Sequence, residues 1–220
     1  MTKAEVCARI VEIGVIPGIR VTSFERARFA AEAVYRAGIP IAEITMTVPD
    51  AVKVISGLTR QFPDMIVGAG TVLDTDTAQR CLDAGASFIT STGLVVDVVE
   101  FALKNEVAAL PGAVTPTEVI AAWRTGADFV KIFPAGPLGG PSYIRTLKLP
   151  FPQIRLIATG GVNQQTARNF ILAGASALGI GSELINPEGL PVMREEQIQE
   201  LARRYLGMVR SARAQLREGN

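Results

Sequence analysis

Thr125-Gly126-Ala127-Asp128-Phe129-Val130-Lys131-Ile132-Phe133-Pro134 closes a helix-like segment and passes directly into a short apolar run. Gly126 stands where a helix takes a left-handed C-cap. The residues after it are apolar enough for a buried strand. The same event recurs along the chain. Ala37-Gly38-Ile39, Ala84-Gly85-Ala86 and Ala173-Gly174-Ala175 each end a helical segment just before an apolar run, and successive glycines lie 47, 41 and 48 residues apart. Each interval holds two strand–helix units.

Working outward from these marks, apolar runs at 15–20, 41–46, 65–70, 88–93, 107–113, 129–134, 155–162 and 177–182 read as eight strands. Helical patterns occupy 2–14, 23–37, 50–61, 74–84, 95–104, 116–125, 142–147, 164–173 and 195–216. Apolar strands separated by helices indicate a parallel α/β fold. Eight units predict a (β/α)8 TIM barrel with an extra N-terminal helix, spanning residues 1–220 as one domain; a doubly wound open sheet is the alternative. In such a barrel the site lies at the C-terminal ends of the strands.

The bulk composition narrows the chemistry. The chain has 220 residues, 48% of them hydrophobic, which suffices for one sizeable core. Its formal net charge is +1 without a basic block, which argues against nucleic acid or an anionic membrane surface as partner. No apolar run reaches the ~20 residues of a membrane span. Met1 to Glu5 opens a helix rather than a signal-peptide core, so a cytoplasmic protein is expected. Cys7 and Cys81 fall in helical segments and read as packing residues. The sequence has no histidine. That removes Ser–His and Cys–His catalysis and every imidazole-dependent zinc site. Acid–base work must come from Glu, Asp, Lys, Tyr or water.

Of the five lysines, Lys131 alone falls within a strand candidate. Strand alternation places Phe129, Lys131 and Phe133 on one face, opposite Val130 and Ile132. With the second set against the helices, Lys131 points into the barrel. There, desolvation favours a neutral nucleophilic amine, the setting for a Schiff base with a ketone. Glu43 is the one carboxylate within a strand candidate, and the same alternation turns it inward with Thr45 and Thr47. A structural Glu43–Lys131 ion pair and a nucleophile with its proton shuttle both fit this arrangement.

The remaining strand ends offer polar groups. Thr159-Gly160-Gly161-Val162-Asn163 and Gly179-Ile180-Gly181-Ser182 stand after the seventh and eighth strands, where barrels of this type hold phosphate on backbone N–H groups. Val67-Gly68-Ala69-Gly70-Thr71 ends in glycines and a hydroxyl. Arg20, after the first strand, suits a carboxylate or phosphate, and reads equally well as a solvated loop arginine. Thr90, Ser91 and Thr92 divide between pocket and packing.

Glu43-Ile44-Thr45, Val67-Gly68-Ala69-Gly70-Thr71-Val72, Pro111-Gly112, Phe129 to Ala135 and Thr159-Gly160-Gly161-Val162 together resemble the 2-keto-3-deoxy-6-phosphogluconate / 4-hydroxy-2-oxoglutarate aldolase family. The resemblance covers nearly the whole chain. It implies a homotrimeric class I aldolase with no metal or other cofactor, acting on a small keto-acid sugar phosphate. Lys131 would be the Schiff-base lysine and Glu43 the acid/base. Thr45, Thr71, Thr159, Phe133 and Arg20 would contact substrate, and Gly160, Gly161, Gly181 and Ser182 the phosphate. The implied reaction yields pyruvate and glyceraldehyde 3-phosphate. Cleavage of 4-hydroxy-2-oxoglutarate, a phosphosugar isomerase or synthase on the same barrel, and a non-catalytic sugar-phosphate binder are the alternatives. Two positions depart from the phosphogluconate-type pattern: Thr47 stands in place of an arginine and Thr92 in place of a proline. The stretch from Lys131 to Ile144 is more similar to the 6-phosphogalactonate branch, which also lacks that arginine.

Overall fold

The computed structural model describes residues 1–186 and 194–218. Among them the elements run α1 (Lys3–Ile13), β1 (Val15–Ile19), α2 (Phe24–Arg36), β2 (Ile41–Thr45), α3 (Ala51–Gln61), β3 (Ile66–Gly70), α4 (Thr75–Asp83), β4 (Phe88–Thr90), α5 (Val96–Lys104), β5 (Ala108–Leu110), β6 (Gly112–Ala113), α6 (Pro116–Arg124), β7 (Val130–Ile132), α7 (Pro141–Lys148), β8 (Leu156–Thr159), α8 (Ala167–Leu172), β9 (Ala177–Ile180), α9 (Ser182–Ile185) and α10 (Glu195–Glu218).

Local chemistry sets the boundaries. Thr2 with Glu5 and Thr115 with Glu118 form reciprocal capping boxes, and Ser23 and Asp74 each accept an N–H at the first turn of their helix. The four recurring glycines, Gly38, Gly85, Gly126 and Gly174, all take φ between 87° and 100°. Side-chain-bearing residues rarely adopt that backbone, which is why this mark is legible.

All strand pairings are parallel, in the order β5-β4-β3-β2-β1-β9-β8-β7-β6. The first and last staves meet, with Val15 opposite Leu178. This rules out an open doubly wound sheet and gives a nearly closed TIM barrel. The fifth stave differs from expectation. The run 107–113 is broken at Pro111, which has no N–H to offer a ladder. Its halves, β5 and β6, pair on opposite sides: Ala109 with Ile89 of β4, and Gly112 with Lys131 of β7. Lys131 N–H donates to the Pro111 carbonyl at 2.8 Å, and Gly112 N–H donates to the Gly93 carbonyl at 3.3 Å, so the seam is closed by loop hydrogen bonds.

Two further differences are small. α8 starts at Ala167 rather than 164, because the Asn163 side chain accepts the Gln165 and Thr166 N–H groups at 3.0 and 3.1 Å and holds a turn there. The four-residue α9 is too short to give a periodic signal. α10 lies across α2 and α8 with Leu201, Tyr205 and Val209 buried. Cys7 and Cys81 are buried, and burial pushes both thiols up to about 11, as expected of packing residues. No helix among the described residues is long and apolar enough to cross a membrane.

The seam generates a stability prediction. A Cβ on Gly112 would stand 2.2 Å from the Thr92 carbonyl oxygen, which is backbone and cannot turn aside. Gly112→Ala is expected to cost about 1–3 kcal/mol by overpacking. Gly57, inside α3 with open space around its Cβ position, should gain about 0.5–1 kcal/mol on replacement by alanine. Urea unfolding of the two variants measures the contrast.

Candidate active site

Strand register brings Lys131 and Glu43 together across the barrel. Lys131 sits on β7 between Gly112 and Ile157. Glu43 sits on β2 between Gly18 and Gly68. Both residues are 6% exposed. Lys131 Nζ lies 3.3 and 3.4 Å from the two Glu43 carboxylate oxygens and 3.3 Å from Thr90 Oγ1. All three donor positions of the ammonium therefore face a partner. The partner Thr90, read ambiguously from sequence, belongs to the site.

Space for this pair is made by missing side chains. A Cβ on Gly70 would fall 2.2 Å from Glu43 Oε1. One on Gly179 would fall 2.2 Å from Thr159 Oγ1. That hydroxyl is buried and has no hydrogen-bond partner among the described residues, so it is free to bond a bound molecule.

Above the pair, at the C-terminal ends of the strands, opens a cavity of about 540 Å³. Every site residue expected from sequence lines it: Arg20, Glu43, Thr45, Thr71, Lys131, Phe133, Thr159, Gly160, Gly161, Gly181 and Ser182. Sequence reasoning missed Glu183, and it placed Thr47 on the inward face without its bond to Arg20. Glu183 lines the cavity beside Ser182, where α9 begins.

One rim is a hydroxyl network around a cation. Arg20 Nη1 donates to Thr47 Oγ1 at 2.8 Å and Nη2 to Thr71 Oγ1 at 3.2 Å. Thr45 Oγ1 donates to the Ile19 carbonyl at 3.1 Å and contacts Thr47 Oγ1 at 2.9 Å. Thr71 holds φ at 60°. For a β-branched residue that conformation is strained by roughly 1–3 kcal/mol, and such strain concentrates at functional sites.

At the opposite rim two loops meet backbone to backbone. Gly136 N–H donates to the Gly160 carbonyl at 2.7 Å. Gly160 and Gly161 take φ of 80° and 82°, and a Cβ on Gly161 would stand 2.6 Å from Gly136 Cα. These glycines are thus required by the turn itself, besides any anion they serve. Among the described residues, no group of three or more Cys, Asp or Glu side chains is arranged to hold a metal ion.

The family model for KDPG and KHG aldolase matches residues 6–203. The chain belongs to this aldolase family. The 2-dehydro-3-deoxy-phosphogluconate aldolase of Pseudomonas aeruginosa is 34% identical over 178 residues, covering 80% of each chain. The solved structure of the Zymomonas mobilis 2-keto-3-deoxy-6-phosphogluconate aldolase with 3-phosphoglycerate superposes with a TM-score of 0.84 at 27% identity, covering 96% of this chain and 99% of that one. A Legionella pneumophila KDPG aldolase, with pyruvate captured as a covalent carbinolamine intermediate, superposes with a TM-score of 0.75 at 28% identity over 94% of this chain and 97% of that one.

For this family member the buried pair makes a distinct stability prediction. Removing one partner leaves the other charge buried and unpaired, at a cost of about 3–5 kcal/mol, whereas replacing both with apolar groups of similar size is near neutral. Lys131→Met and Glu43→Leu should each destabilise the barrel, and the double variant should recover most of the loss. A double-mutant cycle by chemical denaturation reads the coupling.

Proposed function

We propose that the chain is a class I aldolase that cleaves a 2-keto-3-deoxy-6-phospho sugar acid, of the gluconate or galactonate type, to pyruvate and glyceraldehyde 3-phosphate. The observation that carries this is the 3.3 Å approach of Lys131 Nζ to Glu43 at the floor of the C-terminal cavity. Transfer of a proton from the ammonium to the carboxylate leaves a neutral amine and a carboxylic acid, so no new charge is created in the buried site.

The amine of Lys131 then attacks the C2 ketone. Glu43 donates the proton that lets the carbinolamine oxygen leave as water, giving a protonated imine. As a carboxylate once more, Glu43 accepts the C4 hydroxyl proton, directly or through water. The C3–C4 electron pair moves to the imine, releasing the aldehyde and leaving an enamine on Lys131. Protonation at C3 and hydrolysis return pyruvate and the free amine. Arg20 and Thr71 face the keto-acid end, with Thr45 contributing through its bond to Thr47. Thr159 is available to a substrate hydroxyl. Phe133 closes one side, and Gly160, Gly161, Gly181 and Ser182 offer backbone N–H groups and a hydroxyl to the phosphate. A homotrimer in the cytoplasm is the assembly and compartment that the family resemblance implies.

Borohydride reduction in the presence of pyruvate should add a pyruvate-derived mass to the peptide containing Lys131, and Lys131→Ala should lose both adduct and turnover. An alanine variant that still traps pyruvate would sink the mechanism. The same trapping separates an aldolase from an isomerase or a passive binder, neither of which needs a covalent lysine.

Cleavage of 4-hydroxy-2-oxoglutarate to pyruvate and glyoxylate is a second reading, supported by Glu183. Glu183 lines the cavity next to Ser182, and among the described residues the cations along the wall are Arg20 and Lys131. A phosphate dianion brings more negative charge beside this acidic residue than the single terminal carboxylate of the shorter substrate does. Relative kcat/KM on the gluconate-type, galactonate-type and unphosphorylated substrates decides between them. The proposed function requires the phosphorylated pair to lead.

A further inference from the structure

This inference rests on the aldolase reading and concerns the rim where β1, β2 and β3 end. Arg20 follows β1, Thr47 follows β2 and Thr71 follows β3. A threonine hydroxyl has one proton to give. Thr45 gives its proton to the Ile19 carbonyl at 3.1 Å. In the 2.9 Å contact between Thr45 and Thr47, Thr47 must therefore be the donor. With that proton committed, the Thr47 oxygen faces Arg20 Nη1 purely as an acceptor, at 2.8 Å. Every proton in the run from Arg20 to Thr47, to Thr45, to the Ile19 carbonyl is now assigned. The run ends on the residue immediately before Arg20, so it forms a closed brace on that one side chain.

The brace immobilises the guanidinium without neutralising it. Both anchors, Thr47 and Thr71, are uncharged. No carboxylate among the described residues lies within ion-pair distance of Arg20. A guanidinium has five N–H donors, and the two spent on hydroxyls leave three for a bidentate anion. Arg20 is otherwise exposed, and holding a long free side chain in one rotamer costs entropy that binding would have to supply.

We infer that Thr47 is a positioning residue that presets Arg20 as the receptor for the carboxylate of the 2-keto acid, and so sets the preference for a charged over an uncharged ketone. Thr47→Val keeps the shape of the side chain and removes both hydrogen bonds.

The test titrates pyruvate and pyruvamide, the same ketone with and without the carboxylate, against wild type, Thr47→Val and Thr47→Ser. Imine formed on Lys131 is read by intact mass after borohydride reduction. Losing a hydrogen bond to a charged group should raise half-saturating pyruvate about 10-fold in Thr47→Val, with pyruvamide unchanged within about 2-fold. Thr47→Ser should restore pyruvate to within about 3-fold of wild type. Melting temperatures identify a folded sample, and Thr47→Ala carries the comparison if the valine variant does not fold. Unchanged pyruvate saturation, or an equal shift for both ketones, overturns the positioning role while leaving the aldolase reading intact. Wild-type protein that traps neither ketone overturns the aldolase reading and this inference with it.

Discussion

An ammonium and a carboxylate held in the middle of an apolar barrel is the constraint on which the rest of this structure turns. Such a pair contributes little to stability, because desolvation of both ions offsets their attraction, and apolar residues of similar size would fold as well. Packing therefore does not explain why β2 and β7 carry Glu43 and Lys131. What the pair requires is a scaffold stiff enough to hold the two charges in register, and the parallel pairings of β2 with β1 and β3, and of β7 with β6 and β8, supply it. In the proposed reaction the same pair would supply the amine and the proton-transfer group.

Around that floor the cavity is electrostatically uneven. Arg20 stands at one rim, held by hydroxyls from neighbouring stave ends. Elsewhere along the wall stand Gly160, Gly161, Gly181, Ser182 and the acidic residue Glu183. Under the proposed reaction, a substrate with an acid at one end would be oriented by this difference, its carboxylate meeting Arg20. The left-handed backbone of Thr71 fits the same picture. The strained residue is one whose hydroxyl anchors Arg20, and the surrounding barrel bears the cost.

Much of this was legible in the sequence for physical reasons. Strand alternation is strict, so the inward orientation of Lys131 and Glu43 followed once the strands were recognised. Glycines at helix ends are nearly obligatory where φ is positive, so the four-fold mark gave the repeat. The break at Pro111 was hidden because the run 107–113 is apolar on both sides of the proline, and the hydrogen bonds that replace the ladder come from other loops. Thr47 was visible as an inward-facing residue and as a departure from an expected arginine, but not as a partner of Arg20. Its bond to Arg20 joins the ends of two different staves 27 positions apart, and no periodicity encodes contacts of that kind. Glu183 lies on a single turn of helix, below the length at which an amphipathic pattern can be read.

The empty Cβ positions at Gly70 and Gly179 have a consequence for how such a site is mapped and copied. The Glu43 carboxylate and the Thr159 hydroxyl occupy volume that any other residue on the neighbouring stave would fill. Two of the site's essential contributions are therefore atoms that do not exist. An experiment that deletes side chains one at a time will never find them, since there is nothing to delete. A designer who transplants the polar residues onto another barrel, and leaves that barrel's own neighbours in place, will reproduce the chemistry on paper and find the groups pushed out of line.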